Sequence, residues 1–261
     1  MTLVWHELTP RLLEVRRVRT LTPGMVRVTL GGEQLDGFCH AAPDDHVKVF
    51  FPEPGADLPV MPTLGEDGLE PPPPGAPLPI YRDYTVRYLR PERRELDIDF
   101  ALHGHGPGAT WAARATAGQR VGILGPRGSN VVPFTFDWYL LGADETALPA
   151  LGAWLERLPE RARVHAFVEV DGAKEEQPLT TRADAAVRWL HRDRGETLTE
   201  AVLAHPIPPG EGYVWIAGEA TGLKPIRRHL RGLGLNREWL EIDGYWRRGV
   251  VNLDHHEDDD E

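Results

Sequence analysis

Behind a "TPG" turn at 22–24, Val26, Val28 and Leu30 alternate with Arg27 and Thr29. A period of two over that length predicts a half-buried antiparallel strand, and the run from Leu12 to Thr22 predicts its hairpin partner. "HVKVFFP" (46–52) predicts a third strand, stopped by Pro52. Residues 52–79 are rich in proline and glycine, with "PPPPG" at 71–75, and predict a loose exposed loop rather than a linker, because strands resume at once. "RDYTVRYLRPERRELDIDFALHG" (82–104) predicts strand, turn, strand; "PGATWAARA" (107–115) a short helix; "GQRVGILGPRG" (118–128) another strand. Short antiparallel strands separated by turns predict a closed β-barrel.

From about residue 136 the pattern changes. "WYLLGAD", "RVHAFVEV" and "EGYVWIAGE" are short buried-strand runs, whereas "ETALPALGAWLERL" and "GLKPIRRHLRGLG" carry apolar residues at helical spacing, the second ending in glycine. Strands alternating with helices predict βαβ units on a parallel sheet. The expected organisation is a β-barrel over 1–135 followed by an α/β domain over 136–261, without an internal repeat.

Composition narrows the chemistry. The 261 residues suffice for two ordinary domains, and the net charge of −11 excludes the clustered basic surface of a nucleic-acid binder. Part of that charge sits in the terminal "HHEDDDE", expected to be a solvated tail. The single Cys39 excludes an internal disulfide, a cysteine-based zinc cluster and an iron–sulfur centre. No apolar run approaches the roughly 20 residues that span a bilayer, and the N-terminus has no signal-peptide core. A cytoplasmic protein is expected, and any redox chemistry in it comes from an organic cofactor.

Four stretches carry candidate chemistry. "RDYTVR" (82–87) puts a cation, a flat ring and a hydroxyl into four positions of an extended run. An isoalloxazine ring with a pyrophosphate tail needs those three groups: Arg82 for phosphate, Tyr84 for stacking, Thr85 for the ring edge. Alternation puts Arg82 and Tyr84 on one side and Thr85 on the other. "DFALHGHGPGATWA" (99–112) runs a strand through a glycine-rich turn into a helix start, where free N–H groups meet an anion. His103 and His105 have no third ligand nearby, so no metal is expected. "GADETALPALGAWL" (142–155) and "WIAGEATGLKPIRRHL" (215–230) are strand-to-helix turns of the kind that bind nucleotides. Thr146 in the first serves either a nicotinamide or phosphate, or a plain helix cap. Glu169 and Asp171, closing "VHAFVEVDG", suit a ribose hydroxyl and so NADH, while Arg188, Arg192 and Arg194 suit a 2′-phosphate.

In this order, "DDHVKVFFP", "RDYTVR", "DFALHGHGPGATWA", "VGILGPRGS", "ADETALPA", "WIAGEATGLKPIRRHL" and "GYWRRG" resemble the siderophore-interacting proteins, flavin-dependent ferric-siderophore reductases of the ferredoxin-reductase-like superfamily. The resemblance implies an FAD-binding antiparallel β-barrel followed by an NAD(P)H-binding-type α/β domain with a parallel sheet. It implies FAD contacts from Arg82, Tyr84, Thr85, Asp99, Phe100, His103, Gly104, Gly106, Ala109, Thr110 and Trp111, with Thr146 and Glu219 at the nucleotide turns. Lys48, Arg127 and Arg247 match the basic residues that hold the anionic ferric siderophore, Arg248 being a substitute for the last. Electrons are expected from NADPH or NADH, or in some members from a ferredoxin. No catalytic group beyond the flavin is required. Two rival readings are a general NAD(P)H-dependent flavin or ferredoxin-type reductase, and a siderophore-binding module without redox function.

Overall fold

A computed structural model describes residues 1–65, 68–70 and 72–250, with backbone alone at 68 and 69. The acidic tail expected at 255–261 lies outside the described residues. The chain divides into two compact units, Met1–Val132 and Pro133–Glu261.

The first unit contains β1 (Thr2–Trp5), β2 (Arg11–Thr22), β3 (Met25–Gly31), β4 (His46–Phe51), β5 (Leu64–Gly65), β6 (Gly68–Leu69), β7 (Ile80–Thr85), β8 (Tyr88–Arg90), β9 (Glu95–Ala101), α1 (Pro107–Ala112), β10 (Arg120–Leu124) and β11 (Gly128–Val131). Seven strands form one antiparallel sheet in the order β7-β4-β10-β2-β3-β9-β8, and β1 pairs separately with β11. Register explains the alternation: Val26, Val28 and Leu30 lie opposite Phe100, Ile98 and Leu96, all facing the core. The intervening positions build a charged ladder on the outer face. Arg27 holds Asp99 through two bonds of 2.6 and 2.7 Å, Thr29 donates to Asp97 at 2.6 Å, and Arg90 bridges Asp97 and Glu95.

The run from Arg82 to Ala101 departs from the predicted strand–turn–strand. It makes three strands, and β7 and β8 occupy opposite edges of the sheet. Two residues carry the chain between those edges: Val86 N–H donates to the Asp45 carbonyl at 2.8 Å and Arg87 N–H to that of Asp97 at 2.9 Å. With Val86 fully buried and its amide spent on Asp45, the ladder cannot continue through it. The sheet is therefore a curled half-barrel with no β7–β8 ladder among the described residues, instead of the closed barrel expected. The segment 52–79 also differs from a loose loop: β5 and β6 pair, and Met61 covers Gly122 of β10 so closely that a Cβ there would collide with its sulfur.

The second unit contains β12 (Trp138–Asp144), α2 (Leu148–Arg157), β13 (Arg163–Val170), β14 (Asp184–His191), α3 (Leu198–Leu203), β15 (Gly212–Glu219), α4 (Ala220–Gly232) and β16 (Leu240–Trp246). Its five strands are all parallel, in the order β14-β13-β12-β15-β16. Every residue of β12 is buried, as a central strand covered on both faces requires. Strand order reverses between β12 and β15, so their C-terminal ends flank the crevice where open parallel sheets take ligands. Among the described residues no helix is long and apolar enough to cross a membrane.

One buried acid ties the first unit together. Asp45 Oδ2 accepts from Ala41 N at 2.7 Å, Ala42 N at 3.0 Å and Ser129 Oγ at 2.7 Å, and lies 3.2 Å from His40 Nδ1. Burial alone would raise its pKa; the bonds from His40, Ser129 and the two amides outweigh it and hold the group below its ordinary 3.8. A depressed folded-state pKa contributes stability that is present above about pH 4 and is lost as the pH falls through the lowered value. Replacement by alanine takes the acceptor from two buried donors, the Ala42 amide and the Ser129 hydroxyl, and from the amide of exposed Ala41. Asp45→Ala is expected to lose about 1–3 kcal/mol or more in urea unfolding at pH 7. Its deficit is expected to shrink as the titration is carried below pH 4, and a deficit independent of pH would contradict this assignment.

Candidate functional site

Pairing of β4 with β7 sets Val47 opposite Tyr84, Val49 opposite Arg82 and Phe51 opposite Ile80, so Arg82 and Tyr84 share the inner face. Thr85, opposite His46, faces the other way with Lys48 and Asp83, as alternation requires. Tyr84 lies 4.3 Å, centroid to centroid, from Phe100 and meets Phe51 edge-on at 6.1 Å. Trp111 of α1 completes the cluster, 5.4 Å from Phe51 and 5.7 Å from Phe100. Burial pushes the Tyr84 hydroxyl above its ordinary range against the pull of Arg82, so it stays a neutral donor.

Helix α1 closes over these rings. Gly104 and Gly106, at φ 77° and 80°, adopt a left-handed turn that a side chain would strain. Gly106 offers no side-chain cap and Pro107 sits in the first turn, so the amides that follow are not satisfied by a cap. A Cβ at Gly108 would collide with the Tyr84 hydroxyl. Trp111 Nε1 is buried and has no hydrogen-bond partner among the described residues.

Other predicted cofactor residues are committed elsewhere. The Asp99 carboxylate belongs to the outer ladder with Arg27, and its side chain is 3% exposed. Phe100 is wholly buried in the core, with its ring packed against Tyr84 and Trp111. His103 meets His105 edge-on at 4.3 Å between ring centroids, and His105 Nδ1 is bonded to the His103 carbonyl. Burial, with His105 beside it, lowers the pKa of His103 and favours the neutral ring. Ala109 is buried inside α1 and Thr110 is exposed on it.

The basic candidates differ in availability. Lys48 Nζ is 3.0 and 3.1 Å from the two Asp83 oxygens and 5.0 Å from the Tyr81 ring. Arg127 is exposed and lies over the Trp5 ring at 5.7 Å, with no carboxylate partner among the described residues. Arg247 follows β16 and is half-buried, while the neighbouring Arg248 donates its backbone N–H to Glu219 at 3.2 Å. Trp5 was not among the expected site residues: lone aromatics carry no signal in sequence without the pairing of β1 to β11.

In the second unit the C-terminal ends of the strands are acidic. Thr146 spends both its amide and its hydroxyl on Asp144 Oδ1, at 2.9 and 2.5 Å, and Trp246 Nε1 donates to Asp144 Oδ2 at 2.8 Å. Thr146 does not cap α2, whose N-cap position is Ala147 without a side-chain bond; it holds the turn before the helix through Asp144. Burial raises the pKa of Asp144, and burial together with Asp144 lifts Glu145 to about 7 against the pull of Arg192. Arg192 bonds to Glu145, to Glu169 at 2.8 Å and to Asp171 at 2.5 Å, and Arg188 pairs with Glu196 at 3.2 Å. Glu219 caps α4 by accepting from Gly222 N at 2.8 Å.

Comparison with known proteins follows the same division. Residues 14–130 match the siderophore-interacting FAD-binding domain, and residues 136–249 match the siderophore-interacting protein family. The chain is 34% identical over 256 residues to the ferric vibriobactin reductase ViuB of Vibrio cholerae, covering 95% of this chain and 93% of that one. It is 37% identical to an NADPH-dependent ferric-chelate reductase of Escherichia coli, covering 93% and 95%. The crystal structure of a siderophore utilization protein from T. fusca superposes with a TM-score of 0.91 at 48% identity, covering 98% of this chain and 99% of that one. The chain belongs to the siderophore-interacting protein family.

Proposed function

We propose that the protein is a flavin-dependent reductase of ferric siderophores, with FAD held in the first unit between Arg82, Tyr84 and the glycine turn into α1. The observation that carries this reading is the cradle around Trp111. It has a buried indole N–H without an acceptor, four clustered rings, a neutral tyrosyl hydroxyl and a helix start whose one glycine admits no side chain. A buried donor left unpaired costs free energy unless a ligand accepts from it. FAD fits that demand, since it brings acceptor oxygens and nitrogens together with a flat ring. Of the expected FAD contacts, Arg82, Tyr84, the turn from Gly104 to Gly106 and Trp111 belong to this reading; Thr85 lies on the other face of β7, and the side chains of Asp99 and Phe100 have structural duties.

When bound, a flavin accepts an electron pair from a nicotinamide and passes electrons on singly, which suits a one-electron acceptor such as Fe(III). One added electron lowers the charge of the iron and weakens its hold on hard oxygen ligands, so reduction favours release. The chain's own contribution is positioning. Arg82 neutralises phosphate, the aromatic cluster fixes one face of the ring pocket, and Arg127 offers an uncommitted cation to an anionic chelate. No acid, base or nucleophile is needed.

For the donor, the acidic rim of the second unit favours NADH. A ribose 2′-phosphate would meet Glu145, Glu169 and Asp171, whose one shared cation, Arg192, already bonds to all three. A 2′-hydroxyl can donate to such carboxylates. Anaerobic turnover of a ferric tris-catecholate, with Fe(II) trapped by a coloured chelator, is expected to run at least about tenfold more efficiently with NADH than with NADPH, a difference of about 1.4 kcal/mol. Equal efficiencies would remove the acidic rim as the selector, and turnover with chemically reduced protein alone would move the donor to a ferredoxin.

Two substitutions test the cradle. Trp111→Phe is expected to leave the FAD-free protein at least as stable while weakening FAD about 5- to 100-fold, the cost of about 1–3 kcal/mol for a lost buried partner. Gly108→Val is expected to push Tyr84 aside and yield protein purified without flavin colour. Wild-type FAD affinity in both variants would place the flavin elsewhere.

A further inference from the structure

Three alanines leave a gap on one face of the second unit. His165 and Phe167 of β13 lie beside Ala186 and Arg188 of β14 in the parallel register, so these four residues share one face of the sheet at its β14 edge. Ala201 and Ala204, at the end of α3, stand over that face, and His205 and Pro206 close its far side. Methyl groups opposite one another on helix and strand do not fill the space between them, and a cavity of about 370 Å³ remains. That volume falls within the range of roughly 300–1,000 Å³ found for small-molecule pockets. The cavity lies near the start of β13, whereas Glu169 and Asp171 of the acidic rim close the same strand at its other end. It is not the nucleotide crevice.

Its walls are flat rings with one cation at the edge. The His165 and His205 rings lie 4.5 Å apart, centroid to centroid, and Phe167 meets His205 edge-on at 5.3 Å. His205 N donates to the Val202 carbonyl at 3.1 Å, which fixes the residue to the end of α3. His205 Nε2 is buried with no hydrogen-bond partner among the described residues, so packing rather than a polar network sets the ring. Burial, with His165 beside it, lowers the pKa of His205 and keeps the ring neutral. Arg188 is exposed, and its pair with Glu196 at 3.2 Å is a surface contact that costs little to release.

We propose that this cavity is a further ligand site, for a small planar aromatic carboxylate. The ligand ring packs among His165, His205 and Phe167, and its carboxylate takes the Arg188 guanidinium at the exposed edge of β14. An aliphatic acid of the same size keeps the ion pair and loses the ring contacts. Inorganic phosphate finds one cation and no polar walls. A metal ion is a poorer match, because no group of three His, Cys, Asp or Glu side chains among the described residues could hold one. The inference stands apart from the reductase reading, since it involves neither flavin nor chelated iron.

Calorimetry on the full chain would use 2-naphthoate, with decalin-2-carboxylate as its non-aromatic counterpart and inorganic phosphate as a bare anion. Ala186→Phe fills the cavity from the strand, Ala204→Phe fills it from the helix end, and Arg188→Gln removes the charge; thermal midpoints check folding. The expected result is one-to-one binding of 2-naphthoate to the wild type, abolished in whichever phenylalanine variant keeps its midpoint. Arg188→Gln is expected to weaken it about two- to fivefold, the size of an exposed ion pair. The decalin acid is expected to bind at least about twofold more weakly than 2-naphthoate, the smallest loss for missing ring contacts. Saturating NADH is expected to leave the affinity unchanged. No binding of 2-naphthoate up to its solubility limit, binding that survives both phenylalanine variants, equal binding of phosphate, or displacement by NADH would overturn the site. No readout here depends on electron transfer, so failure of this site leaves the reductase reading untouched. A chain inert toward ferric chelates that still binds naphthoate in this pattern would do the reverse.

Discussion

Asp45 ties its own loop to two stretches of chain far away in sequence, around Val86 and Ser129. Its carboxylate takes the hydroxyl of Ser129 and the amides of Ala41 and Ala42 and lies beside the His40 ring, while its carbonyl takes the amide of Val86. The last bond matters most for the fold, because it directs the chain across the open seam from one edge of the half-barrel to the other. The bond to Ser129 ties the strap formed by paired β1 and β11, with Arg127 at its start, to the same acid. A buried carboxylate with this many donors is stable only while all of them are in place, so the seam and the strap form as one unit.

The two faces of the curled sheet divide the labour. On the outer face of β3, β8 and β9, cross-strand acids and arginines neutralise one another: Arg27 with Asp99, Arg90 with Asp97 and Glu95, Arg17 with Glu95. On the inner face, Arg82 and Tyr84 meet a cluster of aromatic rings and a helix start, with an indole donor left open. A chain of net charge −11 can still serve an anionic ligand, because Arg127 is exposed and has no carboxylate partner among the described residues. The acidic rim of the parallel sheet applies the same economy in reverse, committing its one central arginine to three carboxylates.

Much of this was legible in the sequence where a local period coincides with a local contact. Val26, Val28 and Leu30 declare their face by alternation, and the same alternation separates Thr85 from Arg82 and Tyr84. The change of texture near residue 135 lies close to the division after Val132. Strand β14 was missed because Ala185, Val187 and Trp189 sit at a half-exposed sheet edge, where the apolar signal is diluted, and α3 because six residues give less than two turns of period. The family resemblance implies Asp99 as an FAD contact, yet its carboxylate is held by Arg27, 72 residues away. The links from Ser129 to Asp45 and to His6, separated by 84 and 123 residues, left no trace in the linear pattern. Long-range polar pairs of this kind decide which members of a motif are free to bind and which are structural.

The central claim is that a flavin in the first unit delivers electrons to chelated iron. The most direct measurement is a single-turnover experiment: reduce the FAD-loaded protein chemically without oxygen, mix it with a ferric tris-catecholate, and follow the visible flavin spectrum. The account predicts that the oxidised flavin bands return as the catecholate charge-transfer colour is lost. Bands that stay bleached while the ferric complex keeps its colour would contradict it.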